Sequence, residues 1–229
     1  SSKRHATAIG ALGYCYGSSC YYLDNVSRGL DDTAHFKAEK LTALEMRFAE
    51  NFSGFDFKNI WENYFDLNTE YGPLKEELSK DELLKQAIEF GYGIRLLNQD
   101  PFEMVISFII SARNSIPSIM KTIKKISEKF GDKIEYKGEI YYAFPTPEQL
   151  KNATLEDIQE TGASFRSKYI IDTIYNINRA LEAKKSGKLT DELKMYDLEY
   201  IMSLPTDECH IALQAFKGVG AKVADCIML

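Results

Sequence analysis

Lys222 follows a glycine turn, Phe216-Lys217-Gly218-Val219-Gly220, and stands near the start of Ala221-Lys222-Val223-Ala224-Asp225-Cys226, which reads as a new helix. A hydrophobe-x-Gly-hydrophobe-Gly turn lets the backbone bend without Cβ clashes and aims the free N–H groups of the next helix outward. Such a helix start binds phosphate without needing basic side chains. Val219 is expected to pin the turn by packing inward, while Gly218 and Gly220 allow a nucleic-acid backbone to come close. In the first helical turn the positive end of the macrodipole disfavours an ammonium. This is expected to lower the Lys222 pKa and leave part of the population as the neutral amine that can attack an electrophilic carbon. Cys226, four residues on, shares a helix face with Lys222. From the residues alone other roles stay open: Lys222 as a phosphate-binding cation, Cys226 as a small core side chain, and the glycines as an ordinary interhelical turn.

The rest of the chain must position that unit. Its 229 residues carry 28 Lys+Arg against 34 Asp+Glu, a net charge of −6, which excludes a wholly basic coat but not a local basic face. Residues 111 to 137 hold seven basic side chains against three acidic ones, a local excess that suits polyanion binding or merely solvates an outer helix face. With 45% hydrophobic and 27% charged residues the composition is that of a globular protein. No apolar run approaches the roughly 18 residues of a membrane helix, so no membrane partner is expected. Cys15, Cys20, Cys209 and Cys226 match neither a disulfide scaffold nor tight zinc-ligand pairs, and a reducing compartment follows. The opening Ser1-Ser2-Lys3-Arg4-His5 and the run Ala6 to Tyr14 only faintly imitate a signal peptide, since Gly10 and Gly13 interrupt it. The absence of an initial Met and an apolar close at Cys226-Ile227-Met228-Leu229 make both ends look cut.

Residues 1 to 55 show no sustained apolar period and read as short strands or loop, a region distinct from residues 56 to 229. Helical spacing begins at Phe57, Ile60, Trp61, Tyr64 and Phe65, is expected to break over Asn68 to Pro73, and resumes at Leu83, Leu84, Ala87 and Ile88 behind Asp81 and Glu82. Gly91-Tyr92-Gly93 ends that helix, and Asp100-Pro101 starts another with Asp as N-cap and Pro in the first helical position. Met104 to Ile110 is apolar nearly all round, as a central buried helix would be. Ile116, Ile119, Ile123, Ile126 and Phe130 then draw a stripe whose outer face is Lys121, Lys124, Lys125 and Lys129. An aromatic loop or small hairpin is expected between Gly131 and Pro147, a capped helix start at Thr154, a long helix through Ile170, Ile174, Ile177 and Leu181, and shorter ones at Leu198 to Met202 and Asp207 to Phe216. From Phe55 on, the fold class is mainly α.

The segment Phe216 to Cys226 closely resembles the helix-hairpin-helix signature of 8-oxoguanine DNA glycosylases, in the superfamily named for that hairpin, a Gly/Pro-rich loop and an aspartate. The resemblance extends through Gly93-Ile94-Arg95-Leu96-Leu97-Asn98-Gln99-Asp100-Pro101, Ser107-Phe108-Ile109-Ile110-Ser111 and Phe165-Arg166-Ser167-Lys168-Tyr169, and covers about residues 55 to 229. It implies a mainly α glycosylase core preceded by a small α+β N-terminal region, and a base excision repair enzyme that removes 8-oxoguanine opposite cytosine. It also implies an associated AP lyase activity, in which Lys222 attacks C1′ of a flipped nucleotide, expels the base and holds the sugar as a Schiff base before strand scission. By the same resemblance Cys226 lines the base pocket, Phe165 is the aromatic wedge, Arg166 reads the orphaned cytosine, and Asn114 fills the vacated space. Arg113 stands where the family usually has asparagine, and a guanidinium there can bond a cytosine edge or a phosphate. Gly218, Val219 and Gly220 complete the DNA-binding set.

The implied partner is duplex DNA containing oxidised guanine, bound by a monomer without a cofactor or side-chain metal ligands, in the cytoplasm with the nucleoid or in a nucleus. The family's catalytic aspartate lies beyond the hairpin, farther than the seven residues that follow Lys222, and its Gly-Gln-x-Phe-Arg-Trp block has no counterpart in residues 1 to 55. Two alternatives share the hairpin: an endonuclease III-like glycosylase and a non-enzymatic duplex DNA-binding module.

Overall fold

A computed structural model describes residues 62–136 and 139–228, and the expectations for residues 1 to 55 and for Phe57, Ile60 and Trp61 lie outside them. Among the described residues, two compact units divide at Gln99/Asp100, one before and one after that boundary.

In the first unit a single turn at Glu62–Tyr64 precedes helix α1 (Tyr71–Leu78) and helix α2 (Glu82–Phe90). The break expected over Asn68 to Pro73 is shorter than its residues suggest. Helix α1 already starts at Tyr71, and Pro73 sits in its first turn, where the missing N–H has no intrahelical partner to lose. Asp81 caps α2 by accepting from Leu83 N and Leu84 N at 2.9 and 3.0 Å, and Gly91 closes it as expected. The apolar stripe of α2 stays at the surface, with no buried residue along its length. The Arg95 guanidinium ties the segment after α2 to the turn before α1, donating to the carbonyls of Asp66 and Thr69.

The second unit is organised around helix α3 (Pro101–Ser111), whose Val105, Ile106, Ile109 and Ile110 are fully buried. Asp100 caps it by accepting from Glu103 N at 3.0 Å, with Pro101 at the helix start. Because α3 is apolar on every side, neighbours must cover it all round. Helix α4 (Ile116–Phe130), helix α5 (Ser167–Lys185), a short helix at Leu198–Met202 and helix α7 (Ala221–Met228) do so. Ile123 and Ile126 carry the α4 stripe into the core, while Ile116 remains exposed at its start. The expected hairpin pairs β1 (Lys133–Tyr136) with β2 (Glu139–Tyr142) antiparallel, Ile134 opposite Tyr141.

Capping boxes open the two turns that follow, Thr146 with Gln149 and Thr154 with Asp157. A turn at Asp191–Lys194, not anticipated from periodicity, precedes Leu198–Met202, and helix α6 (Thr206–Leu213) leads into the glycine turn and α7. The basic face of α4 is partly neutralised. Lys129 pairs with Asp157 at 2.7 Å and Glu160 at 2.8 Å, and Lys124 with Glu128 at 3.6 Å. Hydrogen bonding to Asp157 and Glu160 raises the Lys129 pKa, and the Lys129 ammonium holds the Asp157 carboxyl well below the usual carboxylate range.

Candidate functional site

The glycine turn between α6 and α7 is held from inside by Phe216 and Val219, 1% and 6% exposed, so Val219 packs inward as its place in the turn requires. Gly218 has φ +91°, a backbone that disfavours any side chain, and a Cβ there would meet Cδ2 of Tyr169 at 3.0 Å. The close approach at Gly218 is therefore made by an α5 ring. Gly220 is different: a Cβ added to it would find nothing within 4 Å, so the space above it is open. The Gly220 carbonyl accepts from Val223 N and Ala224 N, both at 2.9 Å, and glycine supplies no capping side chain for the remaining first-turn N–H groups.

Lys222 is exposed in this first turn and makes no ion pair among the described residues. Cys226 is half-buried one turn further along α7. The neighbouring Lys217 is committed elsewhere, to Asp172 of α5, and that hydrogen bond raises its pKa above the ordinary lysine value.

The other predicted DNA-contacting residues lie on two loops. Gly162 (φ +97°) and Ser164 (φ +57°, ψ −135°) turn the chain sharply ahead of Phe165, which is 49% exposed and meets Tyr169 edge to face at 6.4 Å between ring centres. Ser164 occupies backbone space that L residues rarely adopt. Across from it, the loop after α3 places Arg113 at φ +51° with its side chain exposed. Asn114 serves that loop itself, donating to Ile110 O at 3.1 Å and accepting from Ser115 N at 3.0 Å.

Arg166 joins the two loops. Its guanidinium donates to Ala112 O at 2.7 Å, Arg113 O at 3.0 Å and Ala163 O at 3.4 Å, and its Cζ lies 4.4 Å from the Phe165 ring centre. The residue is 5% exposed, and this burial lowers its pKa from the ordinary arginine value. The structure thus links Phe165, Arg166, Arg113 and Asn114 as one arm, and ties that arm to the hairpin through Tyr169.

Sequence reasoning assigned no role to Tyr169 or Asp172, although Tyr169 lies within a quoted block, and it passed over His210. The imidazole Nε2 of His210 in α6 lies 3.0 Å from Ala221 O and 3.1 Å from Asp225 Oδ1. Both partners lie across the glycine turn, so no spacing within one helix could reveal them. Among the described residues no cluster of His, Cys, Asp and Glu has the makings of a metal site.

A family model for the N-terminal domain of 8-oxoguanine DNA glycosylase matches residues 23–105, beginning upstream of the sequence blocks described above. The chain is 36% identical over 143 residues to an N-glycosylase/DNA lyase of Saccharomyces cerevisiae, a match covering 60% of this chain and 36% of that protein. Its fold is similar to that of the Clostridium acetobutylicum 8-oxoguanine glycosylase/lyase in its apo form, with TM-score 0.67 and 52% identity over 78% of this chain and 57% of that one. The same enzyme in complex with duplex DNA containing cytosine opposite 8-oxoguanine matches with TM-score 0.66. The chain therefore spans about a third to somewhat over half of the length of these relatives. The matched N-terminal model, the relatives and the mainly helical fold agree in their likeness: each is to 8-oxoguanine DNA glycosylases.

Proposed function

We propose that this chain carries the core of a base excision repair enzyme that removes 8-oxoguanine opposite cytosine from duplex DNA and then cleaves the strand by β-elimination. One observation carries the reading: an exposed lysine stands in the first turn of α7, behind an open glycine turn, with Cys226 one helical turn away and no acidic partner on its amine among the described residues. The open space at Gly220 and the uncapped N–H groups of α7 suit a DNA phosphate.

A base inside the stack is out of reach, so the damaged nucleotide must turn out of the duplex, at a cost of a few kcal/mol. The Lys222 amine in its neutral form attacks C1′. The C1′–N9 bond breaks with its electron pair passing to the base, which leaves after taking up a proton. Ring opening converts the aminal to an imine, and loss of a C2′ proton expels the 3′ phosphate. Cys226 lines the pocket for the base. Phe165 is the aromatic wedge, its exposed ring being suited to stacking on bases. Arg113 approaches the orphaned cytosine from the facing loop, and Asn114 of the same loop fills the vacated space. For Arg166 to read that cytosine as well, its guanidinium must exchange carbonyls for the base edge.

The test is borohydride reduction of the full-length gene product with a duplex containing 8-oxoguanine opposite cytosine. A covalent adduct that Lys222→Gln abolishes is the expected result. Retardation of the duplex without any adduct would instead make the hairpin a binding module.

A further inference from the structure

We infer that His210 is a positioning residue for Lys222, tying the first turn of α7 to α6 and holding the Asp225 carboxylate away from the amine. The inference rests on the lysine chemistry proposed above. Both neighbours of His210 Nε2, Ala221 O at 3.0 Å and Asp225 Oδ1 at 3.1 Å, are acceptors, which assigns the proton to Nε2. On the other side of the ring Gln214 Nε2 lies 3.4 Å from Nδ1, which then accepts, and the same amide donates to His210 O at 3.1 Å. The imidazole is thus held from its own helix while it reaches across the turn.

Two consequences follow for Lys222. Gly218 and Gly220 have no side chains with which to brace the start of α7, so the His210 bond to the Ala221 carbonyl supplies a brace from the opposite helix. Asp225 lies three residues beyond Lys222 on α7, a spacing at which a carboxylate can pair with an ammonium. That pairing would favour the protonated amine, the form unable to attack carbon. Asp225 meets His210 instead, and Lys222 remains without an acidic partner among the described residues.

The experiment is single-turnover borohydride trapping of the full-length gene product on the 8-oxoguanine duplex, followed from about pH 6 to about pH 9, on both sides of neutrality. His210→Ala is expected to slow trapping at neutral pH roughly two- to fivefold, the range of an exposed ion pair, and to move the rate profile to higher pH. Affinity for a duplex with an uncleavable abasic analogue stays as in the wild type. His210→Gln, which keeps a donor near the Nε2 position, is expected to recover rate and profile, whereas the double variant His210→Ala/Asp225→Asn, still without the brace on the Ala221 carbonyl, is expected to recover the profile and only part of the rate.

A wild-type rate and profile in His210→Ala overturns the inference, as does a shifted profile that Asp225→Asn fails to restore. Histidine nitrogen NMR of the wild type tests the bridge without any substitution: a proton on Nε2 with Nδ1 accepting is expected, and the opposite tautomer overturns it. Absence of any adduct in the wild type sinks the lysine chemistry itself, whereas an adduct whose formation ignores His210 sinks only this inference.

Discussion

The turn before α7 and the loop after α3 are both sharp reversals next to buried helices, yet they are held in opposite ways. The hairpin takes its left-handed residue from Gly218 and is locked by Phe216 and Val219 beneath it and the Tyr169 ring against it. The loop after α3 puts its left-handed φ on Arg113, and a single buried guanidinium, that of Arg166, gathers its carbonyls. One reversal is built from glycine and apolar packing, the other from backbone strain and charge-assisted hydrogen bonds. A glycine turn over an apolar base resists distortion. A loop whose outer carbonyls are gathered by one guanidinium can loosen when that guanidinium finds a better partner, as the DNA contact proposed for this arm requires.

The largest effect should come from removing the base of the hairpin. Phe216→Ala is expected to cost about 3 to 5 kcal/mol of unfolding free energy, measured by denaturant titration. A cost under about 1 kcal/mol, below the usual range for emptying a core site, would mean that packing does not hold the turn. On the other side of the comparison, Arg166→Met leaves the carbonyls of Ala112 and Arg113 without their donor and should cost about 2 to 3 kcal/mol. In the same variant, amide exchange should rise at Arg113 to Ser115 and not at Gly218 to Gly220. Equal acceleration in both segments would erase the distinction.

Gly218→Ala is expected to cost about 1 to 2 kcal/mol for the left-handed backbone, with a further cost for moving Tyr169 that Tyr169→Ala should partly relieve in a double-mutant cycle. Arg113→Gly should go the other way and stabilise the fold by about 0.5 kcal/mol, the strain released less the added chain entropy. The smallest effect concerns the Lys217–Asp172 tie. The folded-state pKa of Lys217 is raised, so the contribution of the pair is complete below the unfolded lysine value and is lost as pH rises through the folded one. The melting difference between wild type and Asp172→Asn should therefore persist up to the ordinary lysine value of about 10.4 and close only above it.

How much of this was legible beforehand depended on the range of the interactions. Asp100 before Pro101, Thr154 before Asp157, and the unbroken apolar run of α3 announce themselves because capping and burial act within a few residues. Pro73 misled because proline reads as a breaker unless it is known to fall in a first turn. The hairpin, with Lys222 behind it, was legible for the same local reason: glycines at 218 and 220 around an apolar 219 describe a turn by themselves. The sequence could assign a part to Arg166 through its family resemblance, but not its present bonds, since the carbonyls it gathers lie more than fifty residues away.

By itself the sequence determined the longer helices of the second unit, the glycine turn and the place of Lys222 in the helix that follows, because backbone propensity, capping and apolar periodicity are properties of neighbouring residues. Only the tertiary structure decided what surrounds that lysine. Tyr169 against Gly218, Asp172 on Lys217 and His210 on Asp225 all cross between helices, and such contacts exist only once burial of α3 has brought those helices side by side.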